Sequence, residues 1–150
     1  MTTPTARTAT THAATQPATT GRLLPAIAVA ALGSMAVNAV IAAIARGPLD
    51  VSSDFQPLTA PVFLAWTLIG TVVGALVWRA ITRRSAHPAR LLRRLVPAVL
   101  VVSLVPDLLV HLDGSMPGTS APAVWALVAM HLATAAVAVP TFARFLPAAD

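Results

Sequence analysis

The chain of 150 residues contains no cysteine, no lysine and no glutamate. Without cysteine there is no disulfide scaffold, thiolate metal site or thiol chemistry, and the redox compartment cannot be read. Charge is scarce: ten Arg and five Asp make up 10% of the residues, against about 25% in an average soluble domain. So few charges cannot coat a water-facing surface of this size. The chemistry motifs are missing too, with no Gly-rich phosphate loop, no nucleophile elbow and no glycosidase-type carboxylate pair. Ser103 shares a helix face with Asp107 and His111, but no oxyanion hole accompanies it. Nothing in the sequence supports an enzyme, and no cofactor is predicted.

What is abundant is apolar, 57% of the chain. Residues 1–21 stand apart as a Thr/Ala/Pro-rich tail without Leu, Ile, Val, Phe or Trp before Leu23, a composition that predicts disorder. Four apolar stretches follow, at about 23–45, 61–81, 95–112 and 122–142, within a domain of residues 22–147. Each is close to the length that crosses about 30 Å of hydrocarbon. A soluble helical bundle would need a charged face on every helix. Leu23 to Ala45 and Pro61 to Trp78 carry no charge at all. The predicted fold is therefore all-α, an integral membrane four-helix bundle running up-down-up-down. The first run exceeds the usual 7–15 residues of a signal-peptide core, so it reads as a retained helix despite an A-x-A pattern at Ala43 and Ala45.

The charges are sorted by side. Arg7, Arg22, Arg144 and the cluster Arg79, Arg83, Arg84, Arg90, Arg93 and Arg94 fall on one side, whereas Arg46 accompanies Asp50 and Asp54 in the opposite link. The positive-inside rule then places both termini in the cytoplasm, in an inner (plasma) membrane. The cluster reads first as the topology determinant, with guanidinium groups lying among lipid phosphates. Recognition of nucleic acid or of an anionic lipid is the sharper reading, but no interleaved aromatics or nucleic-acid module in the link supports it, and no nucleic-acid partner is predicted. Trp66, Trp78 and Trp125 all fall near predicted membrane edges and read as interfacial anchors.

Two patterns bear on helix packing. Ala26, Ala30, Ser34, Asn38 and Ala42 recur every four residues, a small-residue face that admits close backbone approach. Gly70 and Gly74 offer the same spacing on the second helix. The partner of such faces can lie in this chain, in a homo-oligomer or in another membrane protein.

Polar residues inside the spans are the candidate site. Ser103, Asp107 and His111 lie four apart on helix three, and Pro106 weakens the ladder beside the acid. Asp107 lies about 20 Å along the helix from Arg94, where a charge costs at least about 2.5 kcal/mol. By depth, Asn38 and His131 are its expected partners. The predicted constellation is thus Asn38, Asp107, His111 and His131. It can be a structural network at about 0.6 kcal/mol per contact, or a proton or cation site using Asp107 and His131. Two His and one Asp also make an acceptable zinc set, although their separations match no metal-binding pattern and the metal stays unknown. Haem ligation by His111 and His131 carries no motif of its own.

Asn38, the Val105-Pro106-Asp107 segment and the Met130-His131-Leu132-Ala133 segment carry a resemblance. From about Arg22 to Pro147 the chain resembles a family of small actinobacterial membrane proteins, domain of unknown function 6069. That resemblance implies four helices and no assigned activity. The functional expectation is a small multi-pass membrane protein whose polar interior serves helix packing or partner association. The alternative is a proton- or cation-handling transporter or channel component.

Overall fold

A computed structural model describes residues 20–114 and 116–148. The expected tail lies almost wholly outside the described residues. Four helices follow in order, α1 (Leu23–Arg46), α2 (Ala60–Arg84), α3 (Pro88–Asp113) and α4 (Ala121–Phe145), with short 3-10 turns at Thr20–Arg22 and Gln56–Leu58. Proline opens α2, α3 and α4, where its missing N–H leaves no hydrogen bond unmade. Ser120 Oγ accepts from the Ala123 N–H at 3.4 Å and caps α4. Gly114 ends α3 in the left-handed region at φ 60°, the conformation that a residue without Cβ adopts at least cost.

The helices outrun the apolar stretches at their arginine-bearing ends. The sequence suggested a link over 79–94, yet α2 continues to Arg84 and α3 begins at Pro88, leaving residues 85–87 as the turn. Hydropathy marks where the chain meets hydrocarbon, whereas a helix continues as long as its residues favour it, and arginine is a good helix former. The six clustered arginines therefore ride on helical turns.

The helices pack as a ring in which α1 lies against α2 and α4, and α3 against α2 and α4, consecutive helices running antiparallel. All four are long and apolar enough to span a bilayer, with mean hydropathy from 1.8 to 2.2 over their best windows. Large apolar side chains cover the exterior, including Leu32, Trp66, Val102, Leu112 and Trp125. Such an outer surface suits lipid and not water.

The interior is layered. At the end that holds the 47–59 and 114–120 connections, Ala42, Ala45, Phe63, Ala123, Leu127 and Met130 enclose Val51, Phe55 and Leu58 from the first connection. At the arginine end, Ala26, Ala30, Ala75, Trp78, Leu92, Ala138, Phe142 and Leu146 form a second cluster. Between them lie the buried polar residues Ser34, Asn38, Thr67 and Thr71. Because α1 and α2 run antiparallel with Asn38 against Thr67, Ser34 falls level with Thr71 and Ala30 with Ala75.

Trp78 departs from its expected place at the interface. It is buried, its Nε1–H donates to the Leu146 carbonyl at 2.9 Å, and its ring meets Phe142 with centroids 5.9 Å apart. A buried indole needs an acceptor, and the carbonyl that closes α4 supplies one. Trp66 and Trp125 are exposed.

Close approach of α1 and α4 depends on Gly33, where a Cβ would stand 2.9 Å from Val137 Cγ1. Gly33→Val should destabilise the protein by about 1–3 kcal/mol, the usual cost of overpacking, read as a lower unfolding midpoint in detergent. Ala28→Val, with its site exposed on the same helix, should leave the midpoint close to that of the parent.

Candidate functional site

The site is assembled from the interior polar residues. On α1, the face with a four-residue repeat is the buried one: Ala26, Ala30, Ser34, Asn38 and Ala42 all point inward. Asn38 Nδ2 uses both protons, donating to Thr67 Oγ1 on α2 at 2.9 Å and to Thr134 Oγ1 on α4 at 3.1 Å. One amide thus ties three helices together. Thr71, a turn from Thr67, donates to the Thr67 and Leu68 carbonyls of its own helix. Two buried oxygens in this region, Ser34 Oγ and Asn38 Oδ1, have no hydrogen-bond partner among the described residues.

Asp107 and His131 form a second polar group at the α3–α4 seam. His131 Nδ1 stands 2.9 Å from Asp107 Oδ2 and 3.1 Å from the Leu127 carbonyl. In the tautomer protonated at Nδ1, the Leu127 carbonyl receives an aligned hydrogen bond. Asp107 Oδ2 is close enough to pair with the ring, yet no donor is aligned with it. The contact is therefore one of charge proximity more than of directed hydrogen bonding. Either arrangement of the shared proton, imidazolium with carboxylate or imidazole with carboxylic acid, keeps the pair electrically neutral overall. That neutrality lowers the cost of placing two ionisable groups within the span.

Asn38, Asp107, His111 and His131 are not gathered into one cluster of mutual contacts. Asp107 and His131 meet, whereas Asn38 turns to two threonines. His111 is exposed on the last turns of α3. Ser103 donates to the Leu100 carbonyl of its own helix at 2.7 Å. Among the described residues, no three of His, Cys, Asp and Glu are grouped to hold a metal ion, so the zinc alternative has no ligand cage. Thr67 and Thr134 were missed by the sequence reading. Thr67 falls on the four-residue repeat Phe63, Thr67, Thr71 and Ala75 that α2 buries, and this spacing was the available signal.

The two glycines of α2 also differ. A Cβ on Gly70 would meet nothing within 4 Å, whereas one on Gly74 would stand 3.4 Å from Phe142 Cε2. Gly74 belongs to the α2–α4 contact, and Gly70 looks away from the bundle.

Four spanning helices, an apolar exterior and a hydrogen-bonded polar interior define a multi-pass helical membrane protein whose interior contacts serve helix packing. Residues 17–148 match the family described as Family of unknown function (DUF6069), and the chain belongs to that family. No curated protein and no solved structure matches the chain.

Asn38→Ala removes both interhelical hydrogen bonds. At about 0.6 kcal/mol for a contact of this kind in a membrane, the expected loss is about 1 kcal/mol, measured by reversible unfolding in detergent. Thr67→Val and Thr134→Val should each reproduce part of that loss, and neither should add to it in the Asn38→Ala background, since the amide they accept from is gone.

Proposed function

We propose that the protein acts as a small plasma-membrane component that works by associating with another helix within the bilayer, a second copy of itself. In this reading residues 1–21 form a cytoplasmic tail, residues 22–147 the membrane domain, and both termini face the cytoplasm. The sidedness is supported by the arginine cluster on the last turn of α2 and the first turns of α3. An actinobacterial source fits the Ala-rich, Lys-free composition.

The observation that carries the proposal is the exposure of His131, the partner of the buried Asp107. The His131 side chain is 38% accessible, although it lies about 15 Å from the start of α4, well within the hydrocarbon. An ionisable group at that depth is costly unless protein covers it. The helix beside it is the least enclosed of the four, burying only Pro88, Leu92 and Asp107. A helix from a second copy laid along the α3–α4 seam would shield the imidazole and gain dispersion contacts with the open face of α3.

The absence of cysteine gives a clean background for testing this arrangement. A single Ala135→Cys, one turn beyond His131 on α4, should form disulfide-linked dimers on oxidation in native membranes. Val40→Cys, exposed on α1, should stay monomeric under the same treatment. A heavier adduct at Ala135→Cys would replace the second copy by a different protein, and equal cross-linking at both positions would discard the α3–α4 seam as the interface.

The 2.9 Å approach of an imidazole to a carboxylate within the span favours a second reading, proton or cation handling by Asp107 and His131. Here Asp107→Asn and His131→Ala should each abolish a pH-dependent flux into proteoliposomes while the oligomer survives. Loss of assembly in these variants, without any flux in the parent protein, would leave association as the sole role.

A further inference from the structure

At the arginine end of the bundle, the side chains of Arg90 and Arg94 are exposed. At the α2–α3 turn, Ser85, Ala86, His87, Arg90, Leu91 and Arg94 line a cleft of about 230 Å³. The turn is shaped by Ser85, whose Oγ accepts from the His87 N–H at 3.2 Å. Arg90 and Arg94 lie four apart and so share one face of α3. Leu91 provides an exposed apolar wall beside them.

Among the described residues, no acidic side chain pairs with Arg90 or Arg94. Asp50 and Asp54 belong to the opposite end, Asp113 closes the far end of α3, and Asp107 pairs with His131. No acidic residue lies in the first turn of α3, and the His87 side chain makes no capping hydrogen bond. The positive end of the helix dipole therefore adds to two guanidinium groups. Guanidinium forks match phosphate oxygens in geometry as well as in charge.

We propose that this cleft binds the phosphate group of an anionic lipid, with Arg90 and Arg94 as paired donors and Leu91 against the glycerol and upper acyl region. The membrane position favours a lipid over free phosphate. α3 has 26 residues, about 39 Å of helix, which exceeds the hydrocarbon by roughly two turns and carries its arginine end into the headgroup zone. The apolar wall beside the paired arginines suits an amphipathic ligand better than a fully hydrated anion. The proposal is independent of self-association and of proton handling, and it holds for either orientation of the bundle.

Native mass spectrometry of the full-length protein in detergent tests it, with phosphatidylglycerol, phosphatidylcholine and inorganic phosphate as probes. Phosphatidylglycerol should be retained at one molecule per chain in preference to phosphatidylcholine. Arg90→Gln with Arg94→Gln should weaken that retention by about 25-fold, taking about fivefold for each arginine near an anionic headgroup. Arg84→Gln with Arg93→Gln removes the same charge from the same end without touching the cleft lining, and should change retention by less than about fivefold. Circular dichroism and elution volume should match the parent for both double variants, because all four side chains are exposed. Equal losses in the two double variants would overturn the site in favour of a diffuse positive field. Retention of phosphatidylcholine as strongly as phosphatidylglycerol would overturn phosphate recognition, and displacement of the lipid by equimolar inorganic phosphate would overturn the lipid as occupant.

Discussion

Within hydrocarbon there is no water to accept or donate a hydrogen bond, so each polar side chain placed there must find its partner in protein. The organisation of this bundle follows from how the Nδ2 of Asn38 meets that demand, while its Oδ1 has no partner among the described residues. Its amide is buried where α1, α2 and α4 converge, and it donates to one threonine on each neighbouring helix. The direction of those bonds sets the antiparallel register, which places Ser34 opposite Thr71 and alanines opposite one another towards the arginine end. Small side chains at those levels let the backbones approach, and the apolar clusters above and below close around the polar layer.

Helix α3 stands outside this arrangement. It contributes no side chain to the Asn38 network, contains Pro97 and Pro106, and leaves most of its apolar surface open. Of its few buried side chains, Leu92 joins the arginine-end cluster and Asp107 lies against His131, with Val96 and Val110 partly buried against the two clusters. Proline interrupts the backbone ladder near the Leu92 and Asp107 contacts. The three-helix core is thus held by neutral hydrogen bonds and close packing, while the fourth helix is held in part by a pair of ionisable groups. This division separates a structural interior from the edge at which association or proton exchange is proposed.

Much of the fold was legible because hydrocarbon imposes simple rules. Runs without charge, separated by short links, led to four helices, and the alternation of short connections led to the up-down order. The four-residue recurrence from Ala26 to Ala42 also marked the side of α1 that is now buried. Depth along each helix brought Asp107 and His131 to similar levels, but depth alone also made Asn38 a candidate partner for Asp107. Two side chains at one level can face different helices, and the rotation of each helix about its axis decides which. Thr67 and Thr134 were passed over because a hydroxyl is a weak polar signal amid apolar residues, yet they receive both protons of the Asn38 amide. Phe55 and Leu58 were also passed over, since residues in a connecting segment gave no reason to expect complete burial.

Composition and local pattern determined that this chain crosses the membrane four times and which end of the bundle carries most of the arginines. Those properties depend on the free energy of transfer of short segments, which each segment carries with it. The tertiary structure decided that Asn38 pairs with Thr67 and Thr134, that Trp78 is an interior residue and that His131 reaches Asp107 at an open seam. Those contacts depend on helix rotation, register and crossing, which emerge only when all four helices pack and their side chains compete for the same space.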